Sequence, residues 1–142
     1  MVTIHAGCML AGFLSMAAGA ATAMLMRDRS WWLRVHRRLG SAGVACVLLG
    51  FMAALFMVSR QTGQHFAVPH AYLGLVTILS ALCTYTLGVT QLKRKAVRGR
   101  SLHRWSGRVT LTLLFLNVVS GLSLAGILPI EQIISFIRDG QN

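Results

Sequence analysis

Acidic residues are almost missing from this chain: Asp28, Glu131 and Asp139 stand against 14 lysines and arginines. None of the three lies in a long apolar stretch, so those stretches offer no carboxylate for an ion path and none to complete a bare metal centre. Charge of any sign is scarce at 12% of residues, whereas 55% are hydrophobic and the mean hydropathy is +0.64. That balance excludes an ordinary soluble domain and predicts a membrane protein. Cysteine is scarce too. Cys8, Cys46 and Cys83 form no C-x-x-C pair and no C-x-x-C-H motif. Covalent haem attachment is thereby excluded, and the three read as small apolar packing residues. The expectation is one domain over residues 1–142, because spans and short connections use nearly all of the chain.

Four uncharged stretches are long enough to cross a bilayer, at about 4–26, 39–58, 71–92 and 109–128. The fold class expected is an all-α membrane protein, a bundle of four transmembrane helices. Short connections make consecutive helices antiparallel neighbours. The first stretch has no basic residues before it and reads as a retained span rather than a signal peptide. After Pro129, Ile130, Ile133, Ile134 and Ile137 recur with helical spacing and predict a short amphipathic helix on the outer interface.

A formal charge of +11 would suggest a nucleic-acid partner on a soluble fold. Here 12 of the 14 basic residues fall in two connections, Arg27 to Arg38 and Lys93 to Arg108. They read as cytoplasmic anchors, so no nucleic acid is expected and both termini should lie on the outer side. Trp31, Trp32 and Trp105 suit an interfacial belt at the inner face. The localisation expected is a bacterial-type inner membrane, with membrane lipid as the first partner.

Histidines carry the chemistry. His5, His36, His70 and His103 each stand near the start of one helix, at intervals of 31, 34 and 33 residues. Because the helices alternate in direction, His5 and His70 should share the outer level, and His36 and His103 the inner level. Diagonal placement in the bundle lets each pair face across a gap. Two imidazoles at one level are too few for zinc or for iron alone, but they suffice when a porphyrin supplies four more nitrogens. The cofactors expected are therefore two non-covalent b-type haems. Occupation of both axial positions favours electron transfer over oxygen chemistry. His65, in the outer loop, is not expected to be a ligand.

Glycines follow the ligands at matching offsets. Gly19 and Gly50 lie 14 residues after His5 and His36, and Gly88 and Gly121 lie 18 after His70 and His103. These offsets return to within about 40° of the histidine's face after a rise of about 21 to 27 Å. Each helix thus offers a ligand at one end and a gap at the other, which either admits the other haem's ring or serves close helix packing. Gly40, Gly74 and Gly107 stand one turn beyond His36, His70 and His103 and leave clearance on the same face. Arg34, Arg37, Arg38, Arg104 and Arg108 are candidates to pair with the propionates of an inner haem.

At these residues the sequence resembles the cytochrome b561 family of transmembrane electron carriers. IHAGCMLAGF is similar to the family's first ligand helix, VPHAYLGL to its third and LHRWSG to its fourth. The resemblance covers the four-helix core, where eukaryotic members commonly have six helices. It implies a two-haem carrier with an electron donor on one membrane face and an acceptor on the other. As an enzyme it would be a transmembrane oxidoreductase with quinol or ascorbate as donor. Other redox subunits or a second copy of the chain are candidate partners, and a haem-bearing subunit of a larger redox complex is an alternative form of the same reading. A non-haem membrane scaffold is the rival from another class. Ion transport is disfavoured, because the apolar runs contain no Asp or Glu.

Overall fold

The computed structural model describes residues 2–94 and 97–127. Among these residues the protein is all-α, with four helices: α1 (Val2–Leu25), α2 (Trp32–Gln61), α3 (Pro69–Arg94) and α4 (Val97–Leu124). Each is long and apolar enough to cross a membrane. The expected amphipathic helix after Pro129 lies outside the described residues.

The helices run further than the apolar stretches. α2 begins at Trp32 and α4 at Val97, so Arg34, Arg37, Arg38, Arg100, Arg104 and Arg108 are helical. Arginine is a good helix former, and the backbone ladder needs no apolar side chain to continue through the headgroup region. His36 and His103 are consequently held on helix backbone rather than on loops.

The C-terminal end of α4 is set by backbone chemistry rather than hydropathy. Gly126 takes a left-handed conformation with φ 71°. Its N–H bonds Ser123 O at 2.9 Å, and the Ile127 N–H bonds Leu122 O at 3.0 Å. This pair of bonds is the glycine-terminated cap that closes a helix. The helix therefore ends at Leu124, short of the apolar stretch that runs on to Leu128. Gly63 (φ 68°) similarly turns the chain out of α2.

The four helices associate as two antiparallel hairpins. α1 packs most closely on α2, and α3 on α4; the contacts of α1 with α4 and of α2 with α3 are lighter. One buried side chain from each helix (Met9, Val47, Ile78 and Leu114) meets in a shared core, flanked by Phe13, Met16, Phe51 and Val118. Each of these four lies in sequence between its helix's histidine and the glycine at the other end. The core thus forms an apolar layer between two histidine levels.

The surface is inverted relative to a soluble bundle. Leu14, Leu49, Leu79 and Phe115 are all more than half exposed in mid-helix, while four polar residues, Thr77, Thr84, Thr110 and Asn117, are buried. An apolar belt around a partly polar interior is what a bilayer requires, because lipid replaces water as the solvent of the outer face.

Candidate functional site

Alternation of helix direction brings the four histidines together in two pairs. His5 of α1 faces His70 of α3 with ring centres 6.2 Å apart and planes at 88°. His36 of α2 faces His103 of α4 at 6.0 Å and 81°. The first pair lies at the end of the bundle that carries the N-terminus and the α2–α3 loop. The second lies at the basic end, beside the arginine-rich connection between α1 and α2.

Every one of the four rings is held by a hydrogen bond from Nδ1. His5 donates to Gly50 O at 2.8 Å and His36 to Gly19 O at 2.8 Å, a reciprocal exchange within the first hairpin. His103 donates to Thr84 O at 3.0 Å. A carbonyl oxygen can only accept, so these three rings carry a proton on Nδ1, which in a neutral imidazole leaves Nε2 as the lone-pair nitrogen. His70 bonds the Ser120 hydroxyl at 2.9 Å. Ser120 in turn donates its one proton to Asn117 O at 3.0 Å, so it must accept from His70, and the same tautomer follows.

A helix carbonyl already accepts one backbone bond, and its second lone pair is ordinarily screened by side chains. Side chains lean toward the helix N-terminus, so the residue four positions on covers a given carbonyl. Ala23 stands four residues after Gly19, Ala54 four after Gly50, and Gly88 four after Thr84. Small residues at those positions uncover the second lone pair of each accepting oxygen. A Cβ at Gly88 would meet His103 Cε1 at 3.0 Å, and one at Gly121 would meet His70 Cε1 at 3.1 Å. Both glycines therefore seat the imidazole of the neighbouring helix. At Gly50 a Cβ would meet Met9 Sδ at 3.0 Å, and at Gly19 Leu39 Cβ at 3.2 Å. The intervals of 14 and 18 thus mark the levels at which partner histidines dock, and the space at each glycine is filled by protein.

Neutral imidazoles with a fixed Nδ1–H and a free Nε2 are what metal ligation asks for, since the second nitrogen of a ligating histidine is characteristically tied to an acceptor. Two imidazoles on opposite sides of one metal ion would have ring centres about 6.2 Å apart, from two bonds of about 2.0 Å and two ring radii of about 1.1 Å. Both observed separations match that figure. Among the described residues no three His, Cys, Asp or Glu side chains converge. The donor set is therefore two nitrogens per level, which fits a group that brings its own equatorial ligands, as a porphyrin does. Beside His70 opens an apolar cleft of about 620 Å³ walled by Leu73, Leu116, Val119, Ser120 and Ser123.

His65 lies in the α2–α3 loop with Nε2 at 3.3 Å from Ser59 Oγ. Arg34, Arg37, Arg38, Arg104 and Arg108 are exposed at the basic end. Arg27 lies 6.0 Å over Trp32, and Trp32 in turn packs 6.3 Å from His36. The three cysteines are unpaired thiols.

Two site residues were not legible in the sequence. Thr84 acts through its carbonyl, which carries no side-chain signal, although its place one turn before Gly88 is a usable cue. Ser120 is a hydroxyl immediately before Gly121, at the level where His70 docks, and its role depends on the register of α3 on α4. Comparison of the chain with protein-family models, with curated proteins and with solved structures finds no match.

Proposed function

We propose that the protein is a b-type cytochrome of the cytochrome b561 kind, carrying electrons across a membrane through two haems held by His5 with His70 and by His36 with His103. The observation that supports this most is the pair of imidazole separations, 6.2 and 6.0 Å, combined with an Nδ1–H bond on every ring. Haems held by these two histidine pairs would supply a one-electron couple. The chain's own contribution is to hold four neutral imidazoles rigidly, to keep their Nε2 lone pairs available and to surround them with apolar helix surface that excludes water.

Orientation follows from charge. With 12 of 14 basic residues in the two connections at one end, that end is cytoplasmic and the His5/His70 pair lies toward the outer face. In this reading the membrane is a bacterial-type inner membrane and both termini are external. Donor and acceptor meet the protein on opposite faces, with a quinol or ascorbate as candidate donors and other redox subunits or a second copy as candidate partners. A reporter fused after Asn142 is expected to read as external; a cytoplasmic signal would exchange the two levels while leaving the pairing unchanged.

The experiment for the central proposal is a pyridine haemochrome assay on purified protein. Two b-type haems per chain are expected. A chain that folds and inserts with none is a membrane scaffold whose histidines serve only helix packing.

A further inference from the structure

The second hairpin holds its two histidines by nearly the same construction, with one difference. His103 lies over Gly88 and donates to the carbonyl one turn earlier, Thr84 O, at 3.0 Å. His70 lies over Gly121, and the carbonyl one turn earlier is Asn117 O. That oxygen does not receive the histidine. The Ser120 hydroxyl stands between them, accepting from His70 Nδ1 at 2.9 Å and donating to Asn117 O at 3.0 Å. Of the four rings, three end on backbone carbonyls and one ends on a side chain.

We infer that Ser120 is the positioning residue of the His5/His70 site: its hydroxyl fixes His70 as the Nδ1–H tautomer and sets that ligand's electron-donating strength separately from the other three. The inference rests on the proposal that this pair ligates a haem. A hydroxyl whose own proton is spent on a carbonyl is polarised into a better acceptor, and acceptor strength at Nδ1 governs how much electron density Nε2 gives to a metal. Stronger donation favours ferric over ferrous iron and lowers the potential. Backbone carbonyls cannot be deleted by substitution, so His70 is the one ligand whose second bond a side-chain change removes outright. Ser120 and His70 both line the adjoining cleft.

Purified full-length protein, wild type and with Ser120→Ala or Ser120→Thr, tests this by haem count, potentiometric titration and nitrogen NMR of labelled histidines. Ser120→Ala is expected to raise the midpoint of one haem and leave the other in place, by about 59 mV for each tenfold change in ferric-over-ferrous preference. Haem affinity at that site should fall ten- to a hundredfold, the usual effect of losing a ligand's outer hydrogen bond. Ser120→Thr, which keeps the hydroxyl, should restore both. In the NMR spectrum the His70 Nδ1–H alone should lose its hydrogen-bonded shift in Ser120→Ala. Two retained haems with both midpoints unmoved would overturn the inference while the haem proposal stands. A wild-type chain without haem would overturn that proposal instead, and the histidine spectrum would then decide whether Ser120 holds His70: an unchanged His70 Nδ1–H shift sinks the inference.

Discussion

The two hairpins solve one problem with different chemistry. Both must press two antiparallel helices together and present a histidine at each end. In the first, glycine meets backbone: a Cβ at Gly12 would stand 3.1 Å from Gly43 O, and one at Gly43 3.1 Å from Gly12 O. Ser15 adds a single bond to Leu39 O at 2.9 Å. In the second, hydroxyls join the helices, with Thr110 bonded to Ser80 at 2.7 Å and to Thr84 at 2.8 Å. Between the levels where its histidines dock on Gly88 and Gly121, its seam glycines are roomier, since a Cβ at Gly74 would find Asn117 Nδ2 at 3.5 Å and one at Gly107 Thr84 Cγ2 at 3.8 Å. The difference teaches that the first hairpin is held by close approach, which a single methyl group disturbs, and the second by bonds that survive small changes in spacing.

The largest break is expected in the first hairpin. Gly43→Leu would drive a branched side chain into Met16 and the α1 backbone, neither end of which can retreat cheaply. Overpacking of this kind costs roughly 1 to 3 kcal/mol or more. Because His5 and His36 are held across the same seam, both of the proposed haems should be lost, as a haemochrome count and thermal unfolding would record. Gly121→Leu should be more selective. It meets His70, so the haem of the His5/His70 pair should be lost or shifted while the other stays; Gly88→Leu should do the reverse through His103. Loss of both haems from either variant would mean that the second hairpin depends on close approach as much as the first.

Smaller effects probe the hydroxyl seam. Thr110→Val keeps the shape and removes two interhelical bonds, which in membrane proteins average roughly 0.6 kcal/mol each. A modest loss of thermal stability with both haems retained is expected. The smallest effect belongs to Gly74→Ala, where the new Cβ falls into ordinary contact; unchanged stability and spectra are expected, in contrast to Gly43→Ala. His65→Ala should likewise leave both haems bound, and loss of either would place the outer ligand in the loop.

Much of this was legible in the sequence for plain physical reasons. Four apolar stretches and their alternating direction gave the bundle, and one histidine per stretch gave the pairs, because level in a membrane bundle follows from helix direction alone. The 14- and 18-residue intervals located the docking levels. What fills those levels was not legible. A gap at Gly121 can admit a flat ring or an imidazole, and only the register of α3 on α4 puts His70 there. Helix ends were also hidden from hydropathy, since the arginines before His36 and His103 continue the ladder and Gly126 ends it by its backbone conformation. Least visible was Ser120, one hydroxyl among several in a seam, distinguished only by the company of His70 and the Asn117 carbonyl.

The most direct measurement is haem stoichiometry with redox-difference spectra in the four variants His5→Ala, His70→Ala, His36→Ala and His103→Ala. The account predicts two classes: the first two variants lose one and the same haem, the last two lose the other, and each keeps one normal spectrum. If His5→Ala and His36→Ala damage the same haem, or if any single substitution leaves both haems intact, the pairing of imidazoles across the bundle is not what holds them.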